Sequence, residues 1–384
     1  MNDLKNFLTF SIQRKIFSRF RHIVFISAIC LIHLPALDGC VQKKSKGGDR
    51  NYSQTENSNG VAAKTEVDSE TARSQPVQPY KPLLAPVDPQ TIAADKRTSA
   101  SLLTITDSAA YQYYLFIPEN YKALAEGQYV FPLLVYLHGG EDNPDENINT
   151  IVFKWGPLKG IDKVFKNGTI DPAFVARLGN YFRTAIIVYP YLPNSNSSDT
   201  FWDPYKLDTL VEKVMDEYRV DRRRFYMTGV CLGGAGTFHY ATSFSQKIAA
   251  IVPTASISYG GEIMKGLADI SIWTTHNFSD STANIHKTTA DVLNNIFSPK
   301  IDVMGKYPYR GNNKSQDAGD IYTLSIDNSG LLGNWERGFV YPKKIITFTV
   351  FNKGSHDSWS ATYSNPDIWK WMFSQIRPSD AKAE

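Results

Sequence analysis

The stretch "YMTGVCLGGAGTFHYA", residues 226–241, sets a thiol, Cys231, between Gly229 and Gly233. A nucleophile on a sharp strand-to-helix turn needs glycine two positions before and two after it, because a side chain there would meet the folded-back chain. The apolar "FYMTGV" in front reads as a strand. The "GAGTFHYATSF" behind can open a helix, whose N-terminal dipole favours a thiolate. The chemistry open to such a residue is covalent: the sulfur attacks a carbonyl carbon and carries the acyl group until water removes it. Serine is the usual residue in this turn, so Cys231 means either thiol chemistry on a serine-type frame or a decayed site.

Covalent acyl chemistry also needs an oxyanion site, a base and an acid. "LHGG", residues 137–140, closes an apolar run with two glycines that let backbone amides approach a substrate. One donor is then the amide of Leu232, after the thiol, and the other lies near Gly140. His138 in front of them reads as a hydrogen-bonded support. "NKGSHDSWSATY", 352–363, puts His356 in a loop after the last strand, where the base falls in the chain order nucleophile, acid, histidine. "WTTHNFSDST", 273–282, offers Asp280 as the acid, four residues after His276. Asp302 and Asp357 are its rivals, Asp357 the weaker because adjacent side chains diverge.

The elements that must carry these residues alternate. Apolar runs read as strands at 111–117, 132–138, 185–191, 225–230, 248–255, 270–276 and 344–351. Leu207, Leu210, Val211, Val214, Met215 and Tyr218 recur at helical spacing, as do Ile285, Val292, Leu293 and Ile296. Strand, helix, strand in sequence predicts an α/β domain over 100–384, a mostly parallel sheet with helices on both faces. In such sheets sites form at the carboxyl ends of strands, where Cys231, Gly140, Asp280 and His356 all fall. Residues 297–343 exceed what the acid-to-histidine connection needs and read as an insertion near the site. Its tyrosines and Trp335 suit either a binding wall or a small core of their own.

The first 40 residues read as a signal. Lys5, Arg14, Lys15, Arg19 and Arg21 precede the apolar "IVFISAICLIHL" (23–34), which is shorter than the roughly 20 residues of a membrane-spanning helix. The "LDGC" that follows, 37–40, resembles a bacterial lipobox, in which the cysteine, here Cys40, is lipidated. Asp38 departs from that pattern, and a plain secretory signal or an uncleaved anchor is the other reading. The resemblance implies a bacterial cell-envelope location with membrane contact through the lipid alone. Cys30 lies in the apolar run, so the domain keeps a single thiol and no internal disulfide. Residues 41–99 are rich in Ser, Asn, Gln, Lys, Gly and Pro and read as a disordered tether, a pro-segment being the alternative. A net charge of +3 gives no case for nucleic acid, and the run Arg222–Arg224 reads as a solvated turn. There is no His-Glu-x-x-His, no Cys-x-x-Cys and no phosphate-binding glycine loop, so no metal and no cofactor is expected.

Taken together, "LHGG", "VDRRRFYMTGVCLGGAGT", "HNFSD" and "SHDSW" occur in the order and spacing of a known group. Residues from about 105 to 376 resemble the α/β-hydrolase esterases grouped with polyhydroxybutyrate depolymerases and prolyl-oligopeptidase-like predicted peptidases. Two positions depart from that pattern: Cys231 stands for the serine, and Asn277 for the glycine of the acid loop. "GVCLGG" is also similar to the elbow of dienelactone hydrolases, whose nucleophile is a cysteine paired with histidine and aspartate. The resemblance implies the α/β-hydrolase fold and hydrolysis of an ester or thioester in a small molecule or polymer. Cys231, His356 and Asp280 would form the triad, and Leu232 and Gly140 the oxyanion site. A peptidase of the same fold and a non-catalytic surface binding module are the readings it leaves open.

Overall fold

The apolar runs become strands with no polar face. β3 (Tyr113–Ile117), β7 (Ile186–Pro190), β9 (Ala250–Thr254) and β13 (Ile346–Phe351) are buried at every position. That pattern belongs to a sheet covered on both sides. The protein is seen here in a computed structural model that describes residues 81–82 and most of 100–378. The segments 107–109, 125–128, 141–152, 160–164, 167–168, 171, 174–178, 180, 194–200, 258–264 and 309–319 are outside the description. All described residues lie in one of two compact units of the chain, residues 74–384. The expected signal, Cys40 and the tether therefore lie outside the described residues, apart from the short strand β1 (Lys81–Pro82), which pairs with Tyr129 and Val130.

The remaining strands are β2 (Ser101–Ile105), β4 (Tyr129–Leu137), β8 (Val220–Val230), β10 (Ser271–Asn277), β11 (Ile321–Ile326) and β12 (Glu336–Arg337), with a separate pair β5 (Phe165–Lys166) and β6 (Thr169–Ile170). Among the described residues the main sheet runs β12-β11-β13-β10-β9-β8-β4-β7-β3-β2. Its core from β7 to β13 is parallel. β2 and β3 at one edge, and β11 and β12 at the other, run antiparallel. The chain goes from β4 to β7 on one side, then returns past β4 to β8 and continues the other way. That reversal leaves a crevice at the carboxyl ends of β4 and β8.

Among the described residues, helices that follow strands or close the chain are α1 (Pro204–Glu217), α2 (Leu232–Ser243), α3 (Thr289–Ile296), α4 (Trp359–Ser364) and α5 (Pro366–Ser374). α1 begins where the Asp203 carboxylate accepts the amides of Tyr205 and Lys206 and Pro204 fills a position that needs no donor. Period-two alternation splits the β4 side chains between the faces. Leu133, Val135 and Leu137 join a core with Leu207, Leu210 and Val214 of α1, Phe238 of α2 and Leu293 of α3. Leu134 and Tyr136 pack with Ile368, Trp369 and Met372 of α5. Each such aliphatic side chain contributes about 1.5–3 kcal/mol by leaving water.

Two expectations change. Arg222–Arg224 is not a turn but the start of β8, where Arg222 pairs with Glu212 and Asp216 of α1 at 2.6 Å each and Arg224 is buried. Residues 297–343 are not only an insertion, since β11 within them extends the main sheet against β13. Tyr307 of this segment is buried, stacks on Phe278 and meets Trp335 edge-on, and Trp335 in turn meets Phe348 of β13. These aromatics serve the core.

Candidate active site

β8 ends at Val230 and α2 begins at Leu232, so Cys231 alone makes the turn, with φ 55° and ψ −114°. A non-glycine residue in that region is strained, and the strain persists only where the surroundings fix it. Here the Cys231 amide donates to Thr254 O at 3.0 Å, while Cys231 O accepts from Ala235 N at 3.1 Å. The turn folds so tightly that a Cβ on Gly229 would lie 2.3 Å from Gly233 O, and one on Gly233 would lie 2.0 Å from Leu137 O. Only glycine fits either place.

β4 and β8 pair with Leu137 opposite Gly229, so "LHGG" lies against the turn. A Cβ on Gly139 would sit 3.3 Å from Cys231 Cβ, and one on Gly140 would sit 3.9 Å from Leu232 Cδ2. The exposed Gly140 and the first residue of α2 are therefore neighbours. Leu232, as that first residue, has an amide with no acceptor inside its own helix. His138 is buried; its Nδ1 donates to Gly139 O at 2.7 Å and its Nε2 accepts from Leu192 N at 3.0 Å. With both nitrogens engaged it braces the turn and has no free lone pair to act as a base.

The acid and histidine loops leave neighbouring strands, since β10 and β13 pair with His276 opposite Val350 and Asn277 opposite Phe351. Asp280 Oδ2 accepts from His356 Nδ1 at 2.7 Å. Its Oδ1 accepts the amides of Thr282 and Ala283, both at 2.8 Å. Burial opposes ionisation of Asp280, but hydrogen bonds from His276, His356 and the Ala283 amide outweigh it and hold the carboxyl well below the usual carboxylate range. Because Nδ1 of His356 faces a carboxylate, it carries the proton. Nε2 is buried with no hydrogen-bond partner of normal geometry, and Cys231 is near enough to the ring to help raise its pKa. Burial alone would lower the His356 pKa; the Asp280 hydrogen bond and then Cys231 overcome it and raise it to about 9.

The rival acids are elsewhere. Asp357 is exposed and accepts from Ser360 N and Ser360 Oγ at the start of α4. Asp302 is exposed, and its carboxylate crowds Gly305.

Two residues that the sequence shows without assigning them a role also belong to this site. His276 is fully buried, with Nε2 at 3.1 Å from Asp280 Oδ2 and 2.8 Å from Ala283 O, and Nδ1 at 2.8 Å from Thr289 Oγ1. Two imidazoles thus share one carboxylate oxygen. Asn277, next along β10, donates from Nδ2 to Ser355 O at 2.7 Å. Their place in the four-residue stretch before Asp280 was the available signal. Among the described residues no group of three or more His, Cys, Asp or Glu is placed to hold a metal ion.

The strand order, the strained strand-to-helix turn carrying Cys231 and the chain order cysteine, aspartate, histidine define an α/β-hydrolase fold. No family model matches the chain. A bifunctional acetylxylan esterase/xylanase of Neocallimastix patriciarum is 25% identical to it over 186 residues, which is 47% of this chain and 24% of that protein, so less than a third of the relative's length is matched. A solved thermostable esterase superposes with a TM-score of 0.46 at 20% identity, over 74% of this chain and 64% of that one. A ferulic acid esterase does so with a TM-score of 0.34 at 17% identity, over 48% and 80%.

Proposed function

We propose that the protein is an exported, lipid-anchored hydrolase of carboxylic esters or thioesters, working through Cys231, His356 and Asp280. The observation that carries this reading is the 2.7 Å bond from His356 Nδ1 to Asp280, which leaves Nε2 turned to the strained Cys231. The Cys231 sulfur is the attacking atom, and its proton goes to Nε2 of His356, whose pKa, raised to about 9, makes it a ready acceptor. The sulfur forms its bond to the carbonyl carbon, and the oxyanion is held by the Leu232 amide and an amide at Gly140. As the C–O bond to the leaving group breaks, the Nε2 proton passes to the departing alkoxide. His356, now neutral, takes a proton from water; the hydroxide attacks the thioester, and the thiolate leaves as the acid is released. Asp280 stays ionised throughout and stabilises each imidazolium.

The relative's printed name directs the substrate reading to acetyl esters on a carbohydrate. Export and the anchor rest on the N-terminal apolar run and Cys40. The test is a panel of aryl and sugar acetates with mass analysis of the trapped enzyme. An acyl adduct on Cys231, lost in Cys231→Ala, is expected. Cys231→Ser should be slower by about 10² or more, because an alcohol needs full general-base help that a thiolate site has no reason to supply. Activity in the serine variant but none in the native protein would point instead to a decayed site. Cleavage of peptides with no ester turnover would make the protein a peptidase.

A further inference from the structure

Asn277 is one of the two departures from the esterase pattern, and its surroundings give it a task. It is the last residue of β10, 1% exposed, and lies beneath the histidine loop. Nδ2 donates to the carbonyl of Ser355, the residue before His356, at 2.7 Å. The side chain also supports the turn one step earlier. Gly354 has φ 109°, and a Cβ built there would lie 3.2 Å from Asn277 Nδ2 and 3.6 Å from Asn277 Cγ. The loop therefore rests flat on the amide at Gly354 and is bonded to it at Ser355. Beyond His356, the loop is closed by Ser358 Oγ meeting Thr254 Oγ1 at 2.9 Å. Glycine at 277 would leave the Ser355 carbonyl without this donor and a void where the side chain lies.

We propose that Asn277 is a positioning residue for His356, holding the imidazole at the height where one nitrogen meets Asp280 and the other meets Cys231. This rests on the triad reading above. Nothing in the interaction needs substrate, so it can be tested without any. The titratable groups acting on His356 are Asp280 from the acid loop and Cys231 from the turn. The pH dependence of Cys231 reactivity thus reports where the ring sits between them. A residue that merely stabilised the loop would lower the melting temperature and leave that profile alone.

The experiment measures the rate of Cys231 alkylation by iodoacetamide from pH 5 to 10, with kcat and KM on an aryl acetate alongside, for the native protein, Asn277→Ala and Asn277→Leu. Leucine keeps the branched outline of asparagine, with larger terminal groups, and lacks the donor, so it fills the site if alanine costs the fold. In both variants we expect the alkylation profile to shift to higher pH, because a displaced imidazole no longer assists loss of the thiol proton. On the part of the profile where the thiol is still protonated, one unit of displacement slows alkylation about tenfold at a given pH. We also expect kcat to fall by at least that factor with KM little changed. Profiles of both variants that superimpose on the native one would overturn the assignment. If the native protein cleaves no ester while the profiles still shift, the positioning role stands and the esterase reading falls.

Discussion

Replacing Asp280 by asparagine probes the acid with least change of shape. Four donors converge on this carboxylate: His356 Nδ1 and His276 Nε2 on Oδ2, and the amides of Thr282 and Ala283 on Oδ1. An asparagine offers one acceptor oxygen and one NH2 group. If the NH2 takes the Oδ2 place it faces two imidazole N–H groups, and if it takes the Oδ1 place it faces two backbone amides. Neither orientation satisfies the pocket, and a buried unsatisfied donor costs about 1–3 kcal/mol. The less disruptive outcome keeps the amide contacts and lets His356 move its proton to Nε2. The nitrogen facing Cys231 is then a neutral donor that can no longer receive a proton. In a serine triad the same change lowers kcat by about 10⁴. A thiol needs less help from its base, so we expect a loss on the order of 10²–10³ here, with KM nearly constant. Steady-state hydrolysis of an aryl acetate measures it, and thermal unfolding should show a folded protein a few degrees less stable. An Asp280→Asn enzyme within about threefold of native kcat would refute the reasoning, more so if Asp302→Asn were the inactive one.

Stability should carry the mark of His356. Its folded pKa is raised to about 9 from an ordinary value of about 6.5, so its protonation stabilises the native state in full below pH about 6.5, and that contribution is lost as pH rises toward 9. The Tm advantage of the native protein over Asp280→Asn should therefore shrink across that window, and a constant gap would exclude the pair as its source. For Asp280, whose pKa is depressed, the sign reverses: its stabilisation is present above about pH 4 and fades below it, so acid unfolding should begin at higher pH in Asp280→Asn. At the other end of the chain, Cys40→Ser should release the protein from membrane fractions or stall its processing. A variant that remains membrane-bound at its usual mature size would remove the lipid anchor from the proposal.

The fold was legible where a strand is buried on both faces. β4, β7, β9 and β13 appear as mostly apolar runs because a parallel sheet covered on both faces buries nearly every side chain. The edges were not. β2 exposes Leu103 and Thr104, and β11 sits inside a polar stretch whose length reads as a loop. The first turns of β8 were missed for a similar reason, because Asp221, Arg222 and Arg223 face away from the core and break the apolar signal.

At the site, chain order and local glycines point to Cys231, Gly140, Asp280 and His356, because each of those signals lies within one short segment. What His276 and Asn277 do lies in no single segment. Asn277 reaches Ser355 because β10 and β13 are paired with Asn277 opposite Phe351, four residues short of the carbonyl it binds. His276 reads as one more interior strand residue until Asp280 turns back over it. Both contacts depend on strand register, which a one-residue slip would destroy by sending each side chain to the opposite face. An asparagine in place of glycine is visible in the sequence as a departure, but only the register turns it into a donor beneath His356. If that donor sets the imidazole for a thiolate, the two departures at 231 and 277 belong to one adaptation. Cys231→Ser should then recover some rate when Asn277→Gly is added to it, whereas Asn277→Gly alone slows the native thiol.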